Sequence, residues 1–419
     1  MRQRTIEIVV TQHLEEVAIL WLRRDDGAGQ PHYFLKDLAE FDDQLAAHLD
    51  GLKIAGESGW VLCEQELRWQ EPGEVFAAAL LAFADGDGHR IQTVLDVVDQ
   101  STEPSRALVS ALGWLPYDRA AEHINQFLST ETPWLRRIGI AAAAAHRHDP
   151  GAALAAAIKD SDSLLRARAL RAVGELGRVD LLHAAGQHVG AEDDLCRFSA
   201  AWSVALLSGA EEAVEELQAV VERSGSGSER ALQLALRRME IGQGESWIQR
   251  LAELPHLARP AVVGAGVLGV PESISWLIDQ MQIPELARVA GEAFTAITGL
   301  ALDSQPFEGE WPEGFVAGPT EDPEDENVEM DADENLPWPN REAIADWWRK
   351  HRDRFEPGTR YLVGRPMTVE WLDEVLRNGY QRQRAAAALE LAIRQPGTPL
   401  FEVRAPGWRQ QKLLAAGGR

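Results

Sequence analysis

The feature that most constrains this chain is an arginine followed by small residues, repeated about every 30 residues. The clearest copy, RARALRAVGELG, runs from Arg166 to Gly177. Its small residues recur at helical spacing, and a terminal glycine commonly stops a helix. The other arginines of the series are Arg106, Arg136, Arg197, Arg230, Arg259 and Arg288, and with Arg166 they are separated by steps of 30, 30, 31, 33, 29 and 29 residues. A period of this size predicts stacked helical hairpins.

Small side chains also recur at a fixed phase after the arginine. The residue three positions later is small or β-branched in six copies: Val109, Gly139, Ala169, Ala200, Val262 and Gly291. Such residues let neighbouring helices approach closely. The predicted fold class is therefore all-α, an α-solenoid in which helical hairpins build a superhelix.

The composition along the chain predicts four regions. Residues 1–70 form an N-terminal helical cap, and residues 71–302 form the repeat array. Residues 303–340 contain thirteen acidic residues and no Lys or Arg. A segment of this kind buries too little apolar surface to fold alone, so we expect an acidic disordered loop or linker. Residues 341–419 form a C-terminal helical region with one more repeat-like helix at 381–393 and a frayed end.

Charge, hydropathy and cysteine content limit the possible environments. The formal net charge of −25 disfavours nucleic acids and anionic membranes as partners. No apolar stretch is long enough to span a membrane, and the first residues lack the features of a signal peptide. The two cysteines, Cys63 and Cys196, have no paired spacing. We therefore expect a cytoplasmic protein without a disulfide framework.

The period and pattern resemble HEAT-like repeats of the short kind first named from phycobilisome lyases. The best match is IKDSDSLLRARALRAVGELGR, residues 158–178. In that family an aspartate before the turn and an arginine six residues later connect neighbouring repeats, and Asp160 and Arg166 match this pair. The position six residues before the arginine is Thr130 for Arg136 and Ala191 for Arg197. The resemblance therefore implies the full pair in one repeat only.

A narrower resemblance covers most of the chain. The strings HYFLKDLAEFDDQLAAHLDGL, ALGWLPY, TRYLVGRPMT and APGWRQ are similar to an uncharacterised bacterial family of HEAT-repeat proteins of about 400 residues. Some members of that family lie near type VI secretion genes. The resemblance implies an architecture and, by association, a secretion-system or effector component as partner.

The sequence contains no convergent catalytic pattern. The iron site of HEAT-like hydroxylases uses His-Glu dipeptides, and this chain has none. The pair Asp85 and Asp87 lacks the further oxygens of a calcium loop. The glycines from Gly264 to Gly269 resemble a dinucleotide motif, but they stand within a predicted repeat helix and follow no strand. We expect no enzyme activity, no catalytic residue, no metal and no cofactor.

Two groups of residues are candidates for specific contacts, each with two interpretations. The arginine series could capture carboxylates or phosphates, but structural contacts between repeats are favoured, involving Asp160, Arg106, Arg136, Arg166, Arg197, Arg259 and Arg288. The acidic segment could be a solvated linker, or a tether that docks on a partner or on the repeats themselves. Its candidate partner-binding residues, with three nearby tryptophans, are Glu321, Asp322, Glu324, Asp325, Glu326, Trp338, Trp347 and Trp348. Packing is the favoured role of the tryptophans.

The predicted function is that of a non-catalytic scaffold or adaptor that binds a protein on the concave face of the solenoid. Two alternatives stay open. One is a HEAT-like DNA glycosylase, which needs a basic groove for the duplex. The other is a bilin lyase, which the historical name of the repeat suggests. We expect a protein partner and neither a membrane nor a small-molecule substrate.

Overall fold

The computed structural model describes residues 6–98, 102–318 and 330–417. Within these residues the chain has 22 α-helices and one two-stranded sheet, so the fold is an all-α helical repeat fold. Two compact units are present. Unit 1 comprises residues 1–29, 33–208 and 392–419, and unit 2 comprises residues 30–32 and 209–391. The division after residue 208 lies inside the region predicted as one array.

Unit 1 begins with three helices and continues with helical hairpins. Its helices are α1 (Glu7–Gly27), α2 (Leu35–Ala55), α3 (Glu57–Glu66), α4 (Pro72–Asp85), α5 (Gly88–Val98), α6 (Thr102–Trp114), α7 (Tyr117–Ser129), α8 (Pro133–Ala145), α9 (Ala152–Ala157), α10 (Ser163–Glu175), α11 (Leu182–Gly186) and α12 (Asp194–Ser208). The helices α4, α6, α8, α10 and α12 pack against one another in this order. A buried apolar core extends from α1 through α8.

Unit 2 repeats this arrangement over a shorter stretch. Its helices are α13 (Glu211–Glu222), α14 (Ser228–Arg238), α15 (Ile241–Ala252), α16 (Ala258–Leu268), α17 (Ile274–Gln280), α18 (Pro284–Thr298), α19 (Arg341–His351), α20 (Val369–Asn378) and most of α21 (Gln381–Arg394). Helices α14, α16 and α18 stack in sequence. Strands β1 (Tyr361–Leu362) and β2 (Arg365–Pro366) form an antiparallel pair with Tyr361 opposite Pro366. Short 3₁₀ turns occur at Leu67–Trp69, Val179–Leu181, Pro255–Leu257, Pro271–Ser273 and Arg352–Arg354.

The C-terminal end differs from the predicted frayed tail. Helix α22 (Gly407–Ala415) follows Pro406 and packs on α2 within unit 1. A Cβ on Gly407 would lie 2.8 Å from the Cα of Ala39, so the two backbones approach closely. The Gln410 side chain is fully buried. Hydropathy alone did not indicate this contact, because the helix has few apolar residues.

The seams between stacked helices depend on small residues. In the α10–α12 seam the Gly174 amide donates to Ser203 Oγ at 3.1 Å, and that hydroxyl donates to the Leu170 carbonyl at 2.7 Å. In the α16–α18 seam a Cβ on Gly266 would lie 2.9 Å from the Cα of Ala293. The close approach expected from the sequence is therefore a direct contact between backbones. Of the described helices, none combines the length and apolar composition that crossing a bilayer requires.

We predict that Gly266→Ala lowers the free energy of unfolding by about 1–3 kcal/mol, because the new methyl group meets backbone that cannot easily move. Urea unfolding followed by circular dichroism measures this. The matched control is Gly242→Ala in α15, where a Cβ meets nothing within 4 Å. The control should change stability by no more than about 0.5 kcal/mol in the destabilising direction. Equal losses of unfolding free energy in both variants would contradict close packing between α16 and α18 at Gly266.

Candidate protein-binding surface

Two arginines of the series make the same contact with the turn before their helix. Arg166, in the first turn of α10, donates through Nη1 to the carbonyl oxygens of Asp160 at 2.6 Å and Ser161 at 3.3 Å. Arg197, at the same place in α12, donates to the carbonyls of Ala191 at 2.7 Å and Glu192 at 3.2 Å. The acceptors are backbone atoms six and five residues upstream in both repeats. This explains why alanine is tolerated where the family pattern has aspartate.

The side chain of Asp160 has a separate role, because it connects two repeats. Its Oδ2 accepts a hydrogen bond from Arg136 of α8 at 2.7 Å, and its Oδ1 accepts from the Asp162 amide at 3.0 Å. The hydrogen bond from the Asp162 amide and the Arg136 guanidinium both lower the pKa of Asp160, and burial opposes them. The carboxylate therefore links α8 to the turn that precedes α10.

Arg106, the first arginine of the series, contacts the N-terminal helix of unit 1. Its guanidinium pairs with Asp25 of α1 and lies 3.7 Å from Glu103. Arg404 donates to the same Asp25 carboxylate at 2.5 Å. Burial, together with the nearby Arg404 charge, lowers the pKa of Arg106. The sequence indicated neither Asp25 nor Arg404 as a partner, since no repeat pattern connects them.

In unit 2 two arginines of the series, Arg259 and Arg288, bind the acidic segment. Arg259 donates to both oxygens of Asp333 at 2.6 and 2.5 Å. Arg288 donates to both oxygens of Asp331 at 2.7 and 2.9 Å. Forked arginine–carboxylate bonds are the strongest kind of ion pair in proteins. Arg288 and Asp333 are each 4% exposed, so both pairs are partly withdrawn from water.

The acidic segment is packed at Asp333 and Leu336, which differs from the acidic disordered loop or linker predicted for 303–340. For residues 319–329, which lie outside the described residues, the loop or linker stays a prediction. Its two ends pair through hydrogen bonds from the Gly309 amide to the Trp338 carbonyl and from the Asn340 amide to the Phe307 carbonyl, each 2.7 Å long. Leu336 is buried. The prediction counted only the apolar surface of the segment and not the arginines that neutralise it.

The predicted partner-binding residues divide into two groups. Five of them, Glu321, Asp322, Glu324, Asp325 and Glu326, lie outside the described residues. The three tryptophans are half-buried and contact their own chain. The Trp338 and Trp311 rings have the Arg288 guanidinium 5.5 and 5.0 Å from their centres. Trp347 packs edge-on against Phe294, and Trp348 packs against Phe355.

A row of apolar side chains lies beside the arginines of unit 1. Leu164 and Leu195 are 47% and 45% exposed, and each stands two residues before an arginine of the series. Trp134, at the same register in α8, is half-buried. Because α8, α10 and α12 are stacked, these residues occupy equivalent places on successive helices. We call Trp134, Leu164 and Leu195 the apolar stripe.

The groups that could carry chemistry include a half-buried histidine and two buried cysteines. Within the described ranges, no three His, Cys, Asp or Glu side chains are grouped as metal ligands. His146 bonds to the Leu112 carbonyl, and burial lowers its pKa to about 4. Burial raises the pKa of Cys63 to about 12 and that of Cys196 to about 11. Both thiols are therefore poor nucleophiles at neutral pH.

Lys159, Asp160, Arg166, His188 and Asp193 line a shallow cleft of about 420 Å³. No family model, curated protein or solved structure matches this chain. The helical repeats are a property of the structure, whereas membership of the HEAT-like family stays a prediction from the sequence.

We predict that Asp160→Asn lowers the free energy of unfolding by about 1–2 kcal/mol, because the Arg136 guanidinium loses its charged acceptor. The measurement is urea unfolding near pH 7. The matched control is Asp50→Asn, which removes a largely exposed pair with Lys53 and should cost less than about 0.5 kcal/mol. A loss no larger than that of the control would exclude Asp160 as a connection between repeats.

The stability that the Arg288–Asp331 ion pair contributes should depend on pH in a defined direction. Burial has the largest single effect and opposes ionisation of Asp331. The Arg288 hydrogen bonds, the hydrogen bond from the Asp333 amide and the charges of Arg288 and Arg259 together outweigh it and lower the pKa below the ordinary value of 3.8. A carboxylate with a lowered pKa stabilises the fold above its unfolded pKa and loses this effect as the pH falls through its folded pKa. The difference in melting temperature between wild type and Asp331→Asn should be largest near neutral pH and shrink below about pH 4. A constant difference down to about pH 2 would contradict this assignment.

Proposed function

We propose that this protein is a non-catalytic scaffold that binds another protein through the apolar stripe and the arginines beside it. The observation that carries the proposal is the exposure of Leu164 and Leu195 at the same register of adjacent repeats. Apolar side chains aligned on stacked helices offer a partner a continuous contact surface. Neighbouring charged groups would then set the orientation of the partner.

The contacts of the arginines favour a protein partner over a nucleic acid. Phosphate binding requires cations that are free to leave their own partners. In unit 1, Arg106 and Arg136 are instead bonded to carboxylates of this chain. This is the reason to rank the DNA glycosylase alternative below the scaffold, and no contact favours the bilin lyase. The resemblance to proteins encoded near type VI secretion genes makes a secretion or effector component the first partner to test.

The test is affinity capture from the native host with quantitative mass spectrometry. Three immobilised proteins are compared: wild type, Leu164→Glu/Leu195→Glu, and the matched control Val179→Glu. Val179 lies in the same unit, is 47% exposed and does not belong to the apolar stripe. We predict at least one protein that wild type and the control retain equally and that the double variant loses by tenfold or more, equivalent to about 1.4 kcal/mol.

Two further measurements make the result decisive. The melting temperature of each variant shows that the substituted surface residues leave the fold intact. Reconstitution of the captured protein with the purified chain then separates direct from indirect binding. If no protein is lost selectively from the double variant, the apolar stripe is not a binding surface and the proposal fails.

A further inference from the structure

The same three-residue turn occurs twice in this chain, once inside a repeat and once in the acidic segment. In Asp160-Ser161-Asp162 the first carboxylate accepts from the amide of the third residue at 3.0 Å. In Asp331-Ala332-Asp333 the corresponding bond is 2.9 Å long. In both turns the first carboxylate also accepts from an arginine of the series, Arg136 in one and Arg288 in the other. We call this arrangement the Asp-x-Asp turn.

The turn in the acidic segment supplies carboxylates to two arginines of unit 2, Arg259 and Arg288. Asp160, six residues before Arg166, forms an ion pair with Arg136, the arginine of the preceding repeat. The residue six before Arg288 is Gln282, which cannot form an ion pair with Arg259. Asp333 forms this ion pair with Arg259 instead. Asp331 forms an ion pair with Arg288, the last arginine of the series. The acidic segment thus imitates the turn of a further repeat.

The attachment of this turn is compatible with its release. The ends of the segment are held separately, by the hydrogen bonds that join Phe307 and Gly309 to Trp338 and Asn340. Between them, the Glu334 and Leu336 amides bond only to carbonyls of the turn itself. The Arg259 side chain is 39% exposed, so water and competing carboxylates reach this ion pair.

We propose that Arg259, Arg288 and the indole of Trp311 form a receptor for Asp-x-Asp turns of a partner protein, and that the chain's own turn at 331–333 occupies this receptor until an acidic partner segment displaces it. The inference rests on the proposed protein-binding function and specifies the chemistry of the partner. Two carboxylates two residues apart match the two forked guanidinium groups. The longer glutamate side chain does not reproduce the hydrogen bond from the third amide to the first carboxylate.

The receptor is tested with a fluorescein-labelled peptide of residues 330–338, MDADENLPW, by fluorescence anisotropy on the full chain. Asp331→Asn/Asp333→Asn removes the charges that hold the internal turn. This variant should bind the peptide at least tenfold more tightly than wild type. The matched control Glu310→Gln/Glu313→Gln makes the same charge change at exposed residues outside the receptor and should bind as wild type does.

Two comparisons separate a specific receptor from general charge attraction. The peptide MADDENLPW has the same composition with adjacent aspartates, and it should bind the open variant at least fivefold more weakly. Adding Arg259→Gln to the open variant should abolish binding, whereas Arg259→Lys, which keeps the charge but not the fork, should weaken it. The proposal is overturned if the open variant binds no better than the control variant, or if both peptides bind equally.

A measurement on the wild-type chain guards against misfolding of the open variant. Saturating peptide should speed hydrogen exchange of the Glu334 and Leu336 amides at least tenfold, because the displaced turn is no longer held by Arg259 and Arg288 and its internal hydrogen bonds open more often. Unchanged exchange rates would show a permanent structural turn and overturn the proposal. Capture through Leu164 and Leu195 is read out independently in unit 1, so failure of the receptor is distinguishable from failure of the scaffold function.

Discussion

The contact between a guanidinium group and the oxygen atoms of a turn is the interaction on which the repeats depend. A turn that leads into a packed helix presents carbonyl groups that would otherwise lose their hydrogen bonds to water. Arg166 and Arg197 satisfy two such carbonyls each. This fixes the start of the helix relative to the turn, and the position of the small-residue seam along the helix follows from it. Close packing at Gly174 and Ser203 is possible only when that position is correct.

The same interaction makes the acidic segment part of the fold. Taken alone, a chain of carboxylates repels itself and gains little from burial. Next to Arg259 and Arg288, it becomes the partner of two guanidinium groups. Asp331 and Asp333 belong to the structure for this reason, although no local property of their sequence indicates order. The prediction from composition therefore accounted for the charges of the segment itself but left out the arginines that surround it.

The limits of sequence reasoning follow from how far apart the interacting residues are. The helices and the arginine register were predictable because the same sequence pattern recurs about every 30 residues. The C-terminal contacts of unit 1 were not. Arg24 bonds to Asp42 and to the Arg404 and Ala405 carbonyls, and the Gly407 amide donates to the same Asp42 carboxylate. Arg24 and Arg404 are 380 positions apart, Asp42 and Gly407 are 365 apart, and no period relates them. Likewise, the sequence indicated contacts between Asp160 and the arginines and allowed the acidic segment to dock on the repeats, but it did not indicate that Asp331 and Asp333 are the residues that make this contact.

Net charge and local charge also lead to different conclusions for this chain. The excess of 25 negative charges suggests a surface that repels acidic partners. Seven arginines, however, recur at one register of the repeats, and the hydrogen bonds described for that register are with oxygen atoms. An acidic partner therefore competes for a guanidinium group that already has a ligand, and it gains only the difference between two similar ion pairs. Such an exchange gives modest affinity, since charge alone cannot favour the partner's carboxylate over the internal one. It gives high selectivity for the geometry of the partner's carboxylates. Apolar contacts, as at Leu164 and Leu195, supply affinity without such competition. Under the proposed function, affinity would come from the exposed apolar side chains and selectivity from the arginines, so the two properties would lie in different residues.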